Sequence, residues 1–191
     1  LWTWSRITAS FESFQEWMRD FYQLANEDGI KRYFGNHRKY ESIDPNKRTS
    51  TIFVFNSYIS WIGGDHLSFF QSACKTGLIN PSQGLFDCLF HKMSSVLRFG
   101  RMARFDYLTM LGKLGLLDVE PQRAYLEGSS GPVNGARLIY GNDPVLSVQD
   151  LEDKLAELAV VLQLGAYNMQ ILEDAICNWQ KNPERYMHFR G

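Results

Sequence analysis

Cysteine is scarce. The 191 residues hold three (Cys74, Cys88 and Cys177), an odd number without CxxC or Cys/His ligand spacing, which excludes a disulfide framework and a zinc site. They read as reduced, mostly buried thiols of a cytoplasmic protein. Long apolar runs are missing too: none approaches the roughly 18 residues a membrane-crossing helix needs. Leu1-Trp2-Thr3-Trp4-Ser5-Arg6 lacks the basic-then-apolar build of a signal peptide. A soluble protein is expected, and one that opens on Leu rather than Met, as a piece of a longer product would. Nor is there an excess of one charge. Twenty Lys and Arg stand against 21 Asp and Glu, a net charge of -1, which excludes a strongly basic nucleic-acid tail. No internal repeat or long linker divides the chain.

What is present is apolar and aromatic. Hydrophobic residues make up 45% and aromatics 14%, enough for a substantial single core in one domain spanning 1–191. Apolar spacing of three and four predicts a first helix over about 11–26, with Phe14, Trp17, Met18, Phe21 and Leu24 on one buried face. A second helix is predicted after Pro45 along Ile52, Phe55, Ile59 and Ile62, where the β-branched content also allows a strand. A third starts at Asp65-His66, a fourth runs from Pro81 to Met93, and a fifth spans about 95–111. From Leu151 to Trp179 the stripe Leu151, Leu155, Leu158, Leu162, Gly165, Met169, Leu172, Ile176 and Trp179 predicts one helix of about 30 residues, roughly 45 Å long. Gly165 on that seam predicts close helix contact. The fold class is all-α, a single helical domain of about seven to nine helices.

Two features break the pattern. Arg101 and Arg104 fall in line with Leu97, Leu108 and Leu111, and Asp106 falls among Phe99, Met102, Ala103 and Met110; such violations mark functional or strained sites. Leu126-Glu127-Gly128-Ser129-Ser130-Gly131-Pro132 predicts a glycine-rich turn between two short helices, a helix-hairpin-helix element at about 124–141. Successive turn N–H groups and a following helix N-terminus attract a phosphate oxygen. Gly128, Ser129, Ser130, Gly131, Asn134 and Arg137 are therefore the candidate phosphate contacts, which the family resemblance of the same stretch makes contacts to DNA. The same residues would serve equally as a tight connection between packed helices.

Leu126-x-Gly128-Ser129-Ser130-Gly131-Pro132-x-x-Gly135-Ala136-Arg137, preceded by Phe99-Gly100-Arg101-Met102-Ala103-Arg104-Phe105-Asp106 and followed by Leu172-Glu173-Asp174-Ala175-Ile176-Cys177-Asn178-Trp179, resembles the alpha-glutamyl/putrescinyl thymine pyrophosphorylases. These are DNA-glycosylase-like helical proteins of phages and some bacteria, related to amino acid:DNA transferases. The resemblance covers roughly residues 50–180. It implies a DNA substrate bearing a modified thymine, 5-pyrophosphorylmethyl-uracil, whose pyrophosphate is replaced by an amine from an amino acid or a polyamine. It implies the cytoplasm as the location, that of an infected bacterial host for a phage gene. Under it, Arg101 and Arg104 suit the leaving anion, since guanidinium matches phosphate oxygens, and Asp106 suits the amine or base role. The competing reading is an internal ion pair of these three residues. No cofactor is identified. A divalent metal escorting the pyrophosphate stays open, although no carboxylate cluster has metal-ligand spacing.

Further candidates are weaker. The family's glycosylase relatives place a catalytic Asp after the hairpin, where Asp143, Asp150 and Asp153 stand here; Asp150 and Asp153 fit the start of a helix better. No lysine follows the hairpin as a bifunctional lyase would require. Asp65 and His66 form a candidate acid/base pair, or an ordinary helix cap. His91 reads as a core histidine. Lys31 to Tyr40, with Lys47 and Arg48 nearby, interleaves cations and aromatics as strand binding would, Arg38 and Lys39 foremost. Two other functions remain: a non-catalytic DNA-binding module, and a base-excising glycosylase using Asp106 or Asp143.

Overall fold

The structure, a computed structural model, describes residues 2–27, 29, 44–48, 50–79 and 84–185. Among these the regular elements are all helical, as the periodicity predicts. They are α1 (Trp4–Ala9), α2 (Phe11–Glu27), α3 (Thr51–Ile62), α4 (His66–Ile79), α5 (Leu85–Lys92), α6 (Arg101–Lys113), α7 (Gly131–Ile139), α8 (Val148–Val161) and α9 (Asn168–Trp179). A 3₁₀ turn follows α5 at Met93–Ser95. The helices gather in two compact units, Leu1–Phe69 with Ser95–Arg98, and Phe70–Ser94 with Phe99–Gly191.

In the first unit the six-residue α1, too short to show a period, is started by Thr3, whose hydroxyl accepts the Arg6 N–H at 3.3 Å. Phe14, Ile52 and Ile62 are buried. The expected buried face of α2 is corrected: Trp17, Phe21 and Leu24 are exposed. Phe14, Trp17 and Phe21 stack one on the next, at 6.0 and 5.5 Å between centroids, so the three- and four-residue spacing there builds an aromatic ladder instead of a core face. Phe55 is likewise exposed.

The second unit holds two packed cores. One is aromatic: Phe86 and Phe90 of α5, Phe105 of α6 and Tyr125 meet at centroid distances from 4.2 to 6.5 Å. The other joins α7, α8 and α9 through Ala136, Leu151, Leu155, Ala159, Met169, Leu172 and Ile176, with Ala124 and Leu126. The single 30-residue helix is corrected to α8 and α9. Gln163, Gly165 and Tyr167 take positive φ of 51°, 74° and 57° between them, so the chain reverses and both halves of the predicted seam face one core. Gly165 is exposed, with open space around it; it serves the turn, not a helix contact. The close approach occurs at Gly135 instead, where a Cβ would lie 2.4 Å from the Ile176 carbonyl oxygen.

Only the downstream half of the expected helix-hairpin-helix forms a helix, α7. Residues 124–126 are irregular, because their backbone groups are taken by buried side chains. Arg101 Nε donates to the Tyr125 carbonyl at 2.6 Å, Arg101 Nη2 donates to the Ala124 carbonyl, and the Leu126 N–H donates to Glu152. Tyr125 sits at φ 50°, a left-handed conformation that costs a non-glycine residue about 1–2 kcal/mol. These bonds hold it there.

Candidate active-site cleft

A cleft of about 800 Å³ opens in the second unit. Its floor is the Asp87 carboxylate, 8% exposed. Asp87 lies in the first turn of α5, where the helix dipole favours a carboxylate. One oxygen, Oδ1, accepts the Tyr125 hydroxyl at 3.2 Å and lies 3.8 Å from Arg123 Nη2. The other, Oδ2, is 3.5 Å from His91 Nδ1. Burial, then the neighbouring Asp87 charge, pushes the Tyr125 phenol far above its ordinary value, so it stays a hydrogen-bond donor across the usable pH range.

Arg104 and Arg123 line the same cleft. Arg104 lies over the Phe90 ring, 4.3 Å from its centroid, and donates from Nη1 to the Phe90 carbonyl at 3.0 Å. Burial lowers its pKa from the ordinary value, without removing its charge near neutrality. Arg123 Nη1 is 3.8 Å from Glu152 Oε2, so this guanidinium stands between two buried carboxylates. Burial raises the Glu152 pKa, opposed by the Leu126 N–H and by Arg123. Gly128 completes one rim with Glu127. The Ser129 N–H closes a turn on the Leu126 carbonyl at 2.9 Å, and Gly128 supplies the positive φ of 74° that its third position needs.

The residues expected from sequence divide between roles. Arg101 and Arg104 reach the cleft beside Gly128. Arg101 is also bound to Glu173 and to two backbone carbonyls, which commits its guanidinium to holding the chain. The internal ion pair foreseen for it exists, with Glu173 in place of Asp106. Asp106 is half-buried and is not among the cleft residues; it adds to the upward shift of Glu173, whose chief cause is burial. Asp65 caps α4, accepting the Ser68 N–H at 2.9 Å, and that contact lowers its pKa. His66 Nε2 is 3.1 Å from the Tyr58 hydroxyl. This pair belongs to the first unit.

Of the proposed DNA contacts, Ser129 spends its hydroxyl proton on the Leu126 carbonyl at 2.7 Å. Ser130 is the N-cap of α7, without a side-chain cap bond. Gly131 is small for packing, since a Cβ there would lie 2.7 Å from Cys177 Sγ. Asn134 is exposed on α7. Arg137 points Nη1 at the carbonyls of Asp143 and Leu146, 3.4 Å each, which ties down the following loop. Asp143 accepts the Val145 N–H at 2.9 Å, and Asp150 forms a capping box with Ser147. Arg38 and Lys39 lie outside the described residues. The three cysteines are free and half-buried.

His91 is corrected from core to surface: its side chain is 68% exposed and lines the cleft. Asp87, Arg123, Tyr125 and Glu152 went unrecognised in the sequence. Asp87 had a readable signal, a lone carboxylate inside Leu85-Phe86-Asp87-Cys88-Leu89-Phe90. Arg123 had none, since it stands in a loop of no fixed period. Among the described residues no group of three or more His, Cys, Asp and Glu could hold a metal ion, and no helix is long and apolar enough to cross a membrane.

Comparison with known families matches the chain to alpha-glutamyl/putrescinyl thymine pyrophosphorylase clade 3 over residues 1–191. No curated protein and no solved structure matches. The chain belongs to that family, whose name denotes enzymes acting on modified thymine.

Proposed function

We propose that, as a member of this family, the protein exchanges the pyrophosphate of 5-pyrophosphorylmethyl-uracil in DNA for an amine drawn from an amino acid or a polyamine. The amine nitrogen forms a bond to the exocyclic methylene, and the methylene C–O bond breaks. Pyrophosphate leaves with the electron pair, and one proton passes from nitrogen to a base in the cleft. The observation that carries this reading is a single cleft holding cations and carboxylates together beside the Gly128 turn. A polyanionic leaving group and an amine that sheds a proton as it attacks need opposite partners at one point.

Arg104 and Arg123 are the cations suited to the pyrophosphate, since Arg101 is committed to Glu173 and the backbone. A preorganised guanidinium acting on developing phosphate charge is worth about 10²–10³ in rate. Asp87, Glu127 and Glu152 supply the opposite sign. The turn at Gly128 and the first N–H groups of α7, which have no intrahelical acceptor, suit the phosphate strand flanking an extruded base.

The test is to incubate the protein with DNA carrying 5-pyrophosphorylmethyl-uracil and with amino acids or putrescine, then digest to nucleosides. An aminomethyl-uridine adduct with equimolar pyrophosphate is expected. Abasic sites in its place would refute transfer in favour of excision, and bound but unchanged DNA would leave a binding module.

A further inference from the structure

The cleft contains a histidine whose ring is held in one orientation. His91 Nδ1 lies 2.8 Å from the backbone carbonyl of Asp87, one helical turn earlier. A carbonyl oxygen only accepts, so Nδ1 carries the ring proton and Nε2 keeps a lone pair. The Asp87 carboxylate lies 3.5 Å from the same Nδ1, on the side of the ring that carries the proton.

A surface pair at i and i+4 would not need the support given to Asp87. This carboxylate is buried, and it is bonded by a tyrosine 38 positions away in a left-handed conformation. Strained residues held by surrounding bonds concentrate where side chains are aimed at substrates. Oδ1 is occupied by Tyr125 and faces Arg123, which leaves Oδ2 for the histidine. The ring is open to the cleft.

Resting on the transfer reaction proposed above, we infer that His91 Nε2 is the base that takes the proton from the attacking amine, with Asp87 as its positioning carboxylate and Tyr125 holding Asp87. A neutral amine attacks the methylene, and the C–O bond electrons leave with pyrophosphate. The nitrogen, positively charged as the N–C bond forms, passes one proton to Nε2 and gives an imidazolium beside Asp87. The other charged groups lining the cleft with the pair are Arg101 and Arg104 from α6, Arg123 and Glu127 from the segment before α7, and Glu152 from α8.

The experiment measures adduct and pyrophosphate formation in single turnover by the full chain. His91→Ala, at an exposed position that leaves folding intact, is expected to lower the rate by about 100-fold or more, with unchanged duplex affinity. Added imidazole restores turnover in His91→Ala. Asp87→Asn lowers the rate with duplex affinity unchanged, and Asp87→Glu recovers part of it. A His91→Ala rate within about threefold of wild type overturns the inference, as does a large loss that imidazole leaves untouched. If wild-type protein forms no adduct with any amine, the transfer reading itself fails and takes this assignment with it; an active wild type with an active His91→Ala removes the base alone.

Discussion

Replacing Arg101 by Met tests the view that this guanidinium holds the backbone instead of a substrate. Its side chain and that of Glu173 are 10% and 9% exposed. Arg101 also satisfies the Ala124 and Tyr125 carbonyls. Methionine keeps most of the volume, so the loss is electrostatic: a carboxylate left buried without its cation, plus two orphaned acceptors. Removing one partner of a buried pair costs about 3–5 kcal/mol. At about 2–4 °C per kcal/mol for a chain of this size, the melting temperature should fall by roughly 6–20 °C. Burial already keeps Glu173 above the usual carboxylate range with Arg101 present, and losing the cation raises it further. A carboxyl whose folded pKa exceeds its unfolded value supports folding below the unfolded value and loses that support as pH rises through the folded one. The Arg101→Met deficit should therefore shrink when urea titrations are moved from about pH 8 to about pH 5. Arg101→Met with Glu173→Leu should recover part of the loss, since no charge is then stranded, but not all of it, because the two carbonyls remain unpaired. A deficit under about 1 kcal/mol, or one that grows on acidification, would refute the reasoning.

Arg104→Ala should lower adduct formation by about 100-fold with duplex affinity held, as read by single-turnover assay and titration; equal rates would remove Arg104 from the leaving-group site. Gly135→Ala should destabilise by about 1–3 kcal/mol in urea denaturation, because its Cβ meets the Ile176 backbone, which cannot rotate away. Gly131→Ala meets a movable Cys177 thiol instead, so its smaller penalty should disappear in a Cys177→Ala background, and a double-mutant cycle measures the coupling. Ser147→Ala should cost about 1 kcal/mol through loss of the α8 capping box. The part of that box due to Asp150, whose pKa the Ser147 contacts lower, is present above the ordinary carboxylate pKa and lost as pH falls through the lowered value, visible as a difference between acid titrations of the two proteins.

Periodicity reported the helices well wherever apolar spacing coincided with burial, as along α5 and α8. It failed where an aromatic row met solvent, at Trp17 and Phe21, and where one unbroken stripe concealed a reversal at Gln163–Tyr167. A stripe states which side chains share a face, and two helices folded onto one core preserve it as well as one long helix does. The rule that misplaced charges mark functional or strained positions singled out Arg101 and Arg104, which both line the cleft. Applied equally to α5, it would have found Asp87. Glu152 and Glu173 stand next to seam leucines and read as solvated neighbours until their burial is known.

The amino-acid order alone determined an all-helical chain, the family resemblance, and a turn that requires glycine at 128. Those properties depend on neighbours a few residues apart. Only the tertiary structure decided which charges meet: Arg101 with Glu173 across 72 positions and Tyr125 with Asp87 across 38. Low-dielectric burial makes these pairings strong, and burial is a property of the packed core, which no local spacing encodes.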